Sequence, residues 1–216
     1  MLTVYTSPVS LYCAKLRILM RYKGLDWREV AAPGGHGSEA YLRLVPTGTL
    51  PALDHDGVMI GDSEAIMEYL DEVFPAPPML PGGAVERVRA RELARFHDTR
   101  LEPAVRVLFA QVAPAARDAA VLASAAQAIS ARLSQLAALL ASVPDADPGT
   151  LTLGDCGLPV SFAWIDALDA LLGLGVAWPD AVRAYERHLH AIPAVRDELV
   201  AYRPAMTEWL ETRSTA

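Results

Sequence analysis

The chain has 216 residues, enough for one large or two small domains around a real core, and 52% of them are apolar, which is ordinary for a globular protein. Its net charge of −7, with acidic and basic residues interspersed, argues against nucleic acid as a partner, since phosphate binding needs a basic face. Its two cysteines, Cys13 and Cys156, form neither a C-x-x-C pair nor a zinc-like spacing; with no leader pattern and no apolar run long enough to cross a bilayer, a reducing, cytoplasmic setting is expected.

Leu2–Thr6 reads as a short strand stopped by Ser7-Pro8. From Ser10, its N-cap, a helix follows in which Leu11, Ala14, Ile18 and Tyr22 recur at helical spacing. Lys15, Arg17, Arg21 and Lys23 fill its polar face, and Gly24 ends it. Trp27–Val30 is a second strand. Pro33-Gly34-Gly35-His36-Gly37 is a loop, after which Ser38 caps a short helix through Leu44. Ala52–His55 and Val58–Ile60 meet across Asp56-Gly57, a hairpin signal. Asp62-Ser63 then opens a helix with Ile66, Tyr69, Leu70 and Val73 on one face. The order β-α-β-α-β-β-α describes a compact α/β unit over residues 1–76.

Pro75-Ala76-Pro77-Pro78 begins a stiff connector that Gly82-Gly83 releases, so residues 77–84 form a linker. Beyond it no strand pattern appears, and residues 85–216 are expected to be all-helical. Val85, Val88, Phe96, Leu101, Val105, Leu108 and Val112 trace a long amphipathic helix with a kink near Pro103. Ala119–Ser142 is a further helix and Pro144–Gly149 a loop. Thr152-Leu153-Gly154-Asp155 is a capping-box signal before a buried helix at Cys156–Leu172. Shorter helices follow at Asp180–Ala191 and Ala194–Tyr202.

Chemistry concentrates around Thr47-Gly48-Thr49-Leu50-Pro51-Ala52-Leu53 and Asp62-Ser63-Glu64-Ala65-Ile66. A proline ahead of a strand belongs at the strand's leading edge, because it has no N–H for the ladder. The helix opened by Asp62-Ser63 presents free N–H groups that hold a carboxylate. A strand-edge backbone beside an anion-holding helix end suits a small peptide.

Those two segments, with Ser10-Leu11-Tyr12-Cys13-Ala14-Lys15-Leu16-Arg17 and Thr152-Leu153-Gly154-Asp155 in the same order and separation, resemble the soluble glutathione transferases over nearly the whole chain. The resemblance implies a thioredoxin-like N-terminal domain with a cis proline at position 51, a helical second domain, glutathione as co-substrate and no metal. Leu50 would pair its backbone with the cysteinyl unit of glutathione, with Pro51 leading the strand and Thr49 beside the glycyl end. Asp62 and Ser63 would hold the γ-glutamyl ammonium and carboxylate, although the family usually carries the longer Glu at the first position. His36 falls where related classes place a cation for the glycyl carboxylate.

The implied chemistry needs a thiolate, and a hydroxyl at a helix N-terminus favours one. Ser10 stands seven residues before Arg17, the offset found in the tau, zeta and omega classes, with Ser7 the competing candidate. Tyr5 packs within its strand, and Cys13, Cys156 and Asp155 read as structural. The co-substrate pocket would lie between the halves, drawing on Tyr12, His97, Arg100, Arg106 and Phe109. The expected activity is transfer of glutathione to a small electrophile by a homodimer, with no nucleic-acid or membrane partner. The alternatives are a zeta-like isomerase or dehalogenase, and a non-catalytic module of the same fold.

Overall fold

The computed structural model describes residues 1–141 and 149–215; the loop expected from Pro144 lies outside the described residues except for Gly149. Strands β1 (Leu2–Tyr5), β2 (Trp27–Val30), β3 (Ala52–His55) and β4 (Val58–Ile60) form a four-stranded sheet in the order β2-β1-β3-β4. β1 is parallel to β2 and antiparallel to β3, and β4 is antiparallel to β3. Asp56 and Gly57, with φ of 51° and 91°, make the left-handed hairpin turn between β3 and β4. Helices α1 (Leu11–Tyr22), α2 (Glu39–Leu42) and α3 (Ser63–Val73) complete a thioredoxin-like unit. Leu50–Pro51 is cis, as expected, and so is Ala76–Pro77 in the connector.

After the connector the described residues are helical. α4 (Ala84–Phe96) passes into a π-helical turn, His97–Leu101, where the Glu102 N–H reaches back to the His97 carbonyl. α5 (Glu102–Arg106) and a 3₁₀ turn at Val107–Gln111 follow. The kink expected near Pro103 is therefore a widened turn just before it. Pro103 cannot donate to the ladder and its ring crowds the preceding turn, and the extra residue relieves both. α6 (Ala119–Leu140), α7 (Leu158–Leu172), α8 (Asp180–Ala191) and α9 (Pro193–Ser214) form the rest.

The α2 helix ends at Leu42 rather than Leu44, and the boundaries of α7 and α9 also differ from expectation. α7 starts at Leu158, after a 3₁₀ turn at Leu153–Asp155 that carries the Thr152–Asp155 capping box. α9 does not stop at Tyr202 but runs through Pro204 to Ser214, because Leu199, Tyr202 and Met206 bury one continuous face across the proline. Burial of that face outweighs one missing ladder bond.

The larger correction concerns α1. Lys15, Arg17 and Lys23 do not face water: they are 1%, 7% and 7% exposed. Helix α1 is packed between the sheet's other helices and the second half, so its cations meet carboxylates instead of solvent. Lys15 Nζ lies 2.5 Å from Glu64 on α3 and 2.8 Å from Asp98 in the π turn. Arg17 Nε donates to Glu198 on α9 at 2.6 Å. Lys23 Nζ donates to Asp71 and to the carbonyls of Phe74 and Pro77, at 2.6, 2.7 and 2.7 Å, which matches its three protons to three acceptors.

Asp98 joins this arrangement to the second half. Its Oδ1 lies 2.7 Å from His97 Nδ1, and His97 Nε2 is 2.8 Å from Ser161 Oγ. Burial alone raises a carboxyl pKa, but the His97 hydrogen bond and the Lys15 ammonium outweigh it and hold Asp98 at about 2. That lies below the unfolded value of about 3.9, so the contribution is present above that pH and lost as pH falls through the folded value. We expect Asp98→Asn to lower stability at neutral pH by about 2 kcal/mol and to flatten the acid-unfolding curve between about pH 4 and pH 2. Denaturant midpoints followed by tryptophan fluorescence across that range check it. A variant that loses stability equally at pH 7 and pH 2.5 contradicts the assignment.

Candidate active site

Sheet register brings the expected site segments to one end of the molecule. Tyr5, the last residue of β1, pairs with Ala52, the first of β3, and with Val30, the last of β2. Leu53 pairs with Ile60, the last of β4. The turn after β1, the loop after β2, the Leu50–Pro51 approach to β3 and the Gly61-Asp62 step after β4 therefore share one sheet end. Helices α1 and α3 both begin there, so two sets of free N–H groups converge on the same place.

Ser10 is the N-cap of α1, with φ −71° and ψ 121°, and its Oγ accepts the Cys13 N–H at 3.3 Å. Its backbone N–H closes a turn onto the Ser7 carbonyl at 3.2 Å, and both serines are half-buried. This turn is tethered from beneath. Arg17 Nη1 donates to Thr6 Oγ1 at 3.1 Å, and the Tyr202 hydroxyl donates to the Val9 carbonyl at 2.7 Å. Tyr5 packs its ring on Tyr41, with centroids 5.8 Å apart. Cys13 is buried in α1.

Across the sheet end, Asp62 is the exposed N-cap of α3 and its Oδ1 accepts the Ala65 N–H at 3.0 Å. Ser63 follows, 8% exposed. Thr49 Oγ1 donates to the Gly61 carbonyl at 2.6 Å, and the Thr49 carbonyl accepts the Tyr41 hydroxyl at 2.7 Å. The loop ahead of β3 is thereby tied to the start of α3. Leu50 is half-buried and Pro51 buried. A cleft of about 310 Å³ runs along Thr47, Thr49, Gly61 and Asp62. His36 is exposed in the loop after β2.

The expected co-substrate residues divide. Tyr12, Arg106 and Phe109 come together: the Arg106 guanidinium lies 5.7 Å from the Tyr12 ring centre and 5.8 Å from that of Phe109. Phe109 in turn packs on Trp164 and Trp209, at 4.7 and 5.3 Å. His97 does not line an open wall. It is 1% exposed, both ring nitrogens are bonded, and it fills the space left by Gly157, where an added Cβ would sit 2.4 Å from the ring. Arg100 is exposed on the π turn and makes none of these contacts.

Glu102 was not anticipated, although its spacing of four residues to Arg106 is an ordinary helical ion-pair signal. It is 2% exposed, pairs with Arg106 and accepts the Tyr12 hydroxyl at 3.0 Å. Burial first, then the Glu102 and Asp98 carboxylates, push the Tyr12 phenol far above its usual pKa. Tyr12 is therefore a neutral donor committed to Glu102.

A larger cavity, about 870 Å³, lies elsewhere, between the connector, α4 and α8; Pro81, Glu86, Arg89, Tyr185 and His188 line it and no expected site residue does. Among the described residues no three His, Cys, Asp or Glu side chains are grouped to hold a metal ion, and no helix is long and apolar enough to cross a membrane.

Residues 4–78 match the family described as glutathione S-transferase, N-terminal domain. A probable glutathione S-transferase of Oryza sativa subsp. japonica is 27% identical over 238 residues, covering 99% of this chain and 96% of that protein. A stringent starvation protein A homolog of Coxiella burnetii is 39% identical over 92 residues, covering 43% of this chain and 44% of that protein. The solved structure of a rice glutathione S-transferase in complex with glutathione superposes with a TM-score of 0.81 at 25% identity, over 98% of this chain and 96% of that one. The N-terminal match, the full-length relative and the shared two-part architecture together carry one conclusion: residues 4–78 form a glutathione S-transferase N-terminal domain, and the chain as a whole is similar to glutathione S-transferases.

Proposed function

We propose that this chain is a cytoplasmic, homodimeric glutathione transferase in which Ser10 stabilises the glutathione thiolate for attack on a small electrophile. The observation that carries the reading is the convergence of two capped helix N-termini, at Ser10 and Asp62, on the sheet end where Leu50–Pro51 presents its backbone. Glutathione offers what that end needs. It has a peptide backbone to lie along Leu50, a γ-glutamyl end with ammonium and carboxylate, and a thiol between them.

In this reading the γ-glutamyl group meets Asp62 and Ser63. Asp62 has one oxygen engaged in its own cap and the other without a partner among the described residues. The free oxygen takes the ammonium; the Ser63 hydroxyl and the α3 N–H groups take the carboxylate. His36 and Thr49 flank the glycyl end. The thiol then lies toward Ser10. Because the Ser10 oxygen already accepts the Cys13 N–H, its own O–H is free to donate to sulfur. A free thiol has a pKa of about 8.5, so such a donor at a helix N-terminus raises the thiolate fraction at neutral pH. The thiolate attacks the electrophilic carbon, with Tyr12, Arg106 and Phe109 as the wall that orients the co-substrate.

Ser10→Ala is expected to raise the pKa of bound glutathione by about one to two units and to cut turnover at neutral pH about ten- to a hundredfold, while Ser7→Ala does far less. Thiolate absorbance titrated against pH in both variants checks this; a shift with Ser7→Ala alone transfers the role to Ser7. Asp62→Ala and Ser63→Ala are each expected to weaken glutathione binding by about 1.5–3 kcal/mol, read by calorimetry. Unchanged affinity in both would move the γ-glutamyl group elsewhere.

The dimer reading rests on α3 and α4, which are joined through Arg91 and Glu68 at 2.9 Å. α4 leaves Val85 and Val88 66% and 56% exposed, apolar surface suited to a second copy. Light scattering at micromolar concentration should give about twice the chain mass of 23.2 kDa. A mass equal to one chain excludes the dimer.

A further inference from the structure

Beyond the residues of the glutathione site itself, the turn that carries Ser10 is held by the far end of the chain. Thr6 to Ser10 leaves β1 and enters α1 with little backbone support of its own: the Thr6 N–H bonds Val30 and the Ser10 N–H bonds Ser7. Its Val9 carbonyl points to α9, where it accepts the Tyr202 hydroxyl at 2.7 Å. The same hydroxyl accepts the Trp164 indole N–H at 2.7 Å, so Tyr202 is held in one orientation with its proton directed at Val9. Tyr202 is 1% exposed. Burial pushes its phenol above the usual pKa, and it therefore keeps donating throughout the working range.

One helical turn earlier on α9 stands Glu198, 0% exposed. It fixes Arg17 through Nε at 2.6 Å, and Arg17 turns its other nitrogens to Thr6 Oγ1 at 3.1 Å and to the Pro8 carbonyl at 3.5 Å. Arg21 shares Glu198 at 2.9 Å. Glu198 and Tyr202 thus present adjacent grips on one face of α9. One acts through Arg17 on the start of the turn and the other acts directly on its end.

We propose that Tyr202 is a positioning residue for the reaction, holding the Val9 carbonyl so that the Ser10 hydroxyl stays aimed at the glutathione sulfur. The proposal rests on Ser10 as the thiolate-stabilising group. It makes α9, which contributes nothing to the glutathione site itself, part of what sets the reactivity of the bound thiol. A hydroxyl a fraction of an ångström out of line loses most of a hydrogen bond, whereas glutathione's two ends, held at Asp62, Ser63 and Thr49, are indifferent to it.

The test compares the full-length protein with Tyr202→Phe, Thr6→Val, Ser10→Ala and Leu199→Val. The last trims the buried face of α9 without touching any hydrogen bond of the turn, and so controls for loosened packing. Tyr202→Phe is expected to raise the pKa of bound glutathione by about half a unit to one unit and lower kcat at neutral pH about three- to tenfold, with the glutathione Kd changed less than twofold. Thr6→Val, which removes the shorter of the two Arg17 contacts to the turn, is expected to shift the same titration in the same direction and keeps the test alive if Tyr202→Phe does not fold. Leu199→Val should lower Tm and leave the titration in place. If Tyr202→Phe lowers Tm but leaves the thiol pKa and kcat unchanged, or if Leu199→Val moves the pKa as far, Tyr202 is only a packing residue. If Ser10→Ala itself leaves the titration unmoved, the serine reading falls and the positioning role falls with it. A shift with Ser10→Ala and none with Tyr202→Phe or Thr6→Val overturns the positioning role alone.

Discussion

Helix α1 is almost wholly cut off from water, and elements of both halves pack against it. α1 follows the first strand, lies against α3 and the second half, and has nine of its twelve residues buried. Two of the nine are Lys15 and Arg17, and Lys23 caps its end while also buried. An isolated buried cation is prohibitive, so each must find a carboxylate, and the carboxylates come from three different places: α3, the π turn and α9. Removing one member of such a pair strands the other and costs about 3–5 kcal/mol, whereas exchanging the whole pair for apolar residues costs far less. The pairs therefore act less as sources of stability than as a rule about where each element sits relative to α1.

That rule explains which parts of the fold could be read from the chain. Strand limits at Trp27–Val30, Ala52–His55 and Val58–Ile60 follow from local signals, namely alternation, Pro51 and the Asp56-Gly57 turn, and the structure has them at the same residues. The α1 start at Ser10 is local too, since a serine ahead of an apolar period is a cap wherever it occurs. The polar face assigned to α1 is where local reading fails. Four basic residues on a helix look like a solvated stripe, and only tertiary context supplies Glu64, Asp98, Asp71 and Glu198 to bury three of them, Lys15, Arg17 and Lys23. Those acids lie 48 to 181 residues away in sequence, beyond any window.

The site shows the same division. The positions of the candidates Ser10, Thr49, Leu50, Pro51, Asp62 and Ser63 in the fold are legible because each sits at an element boundary, and the sheet register gathers boundaries at one end. The resemblance places His97 and Arg100 beside a pocket lined by one long helix, but the π turn adds a residue to that helix and changes which face each side chain occupies. His97 turns inward to Gly157 and Ser161, and Arg100 turns out. Glu102 escaped notice for the converse reason. A Glu–Arg pair on a helix looks like an exposed salt bridge, and its burial beneath Tyr12 appears only when α1 and α5 are packed together.

The two halves therefore divide the chemistry without being independent of each other. The N-terminal unit supplies every group proposed to touch glutathione, yet two of its supports, Asp98 against Lys15 and Glu198 against Arg17, belong to the second half. Lys15 is held above its usual pKa: burial opposes its charge, but the Glu64 and Asp98 carboxylates outweigh that cost. The consequence reaches the glutathione side directly, because Glu64 is the residue after Ser63 and its backbone lies in the first turn of α3. A second half that shifted away from α1 would leave Lys15 facing Glu64 alone and release the π turn from Lys15. Fixed placement of α1, rather than any single contact with a ligand, is what keeps the start of α3 and the start of α1 facing the same small volume.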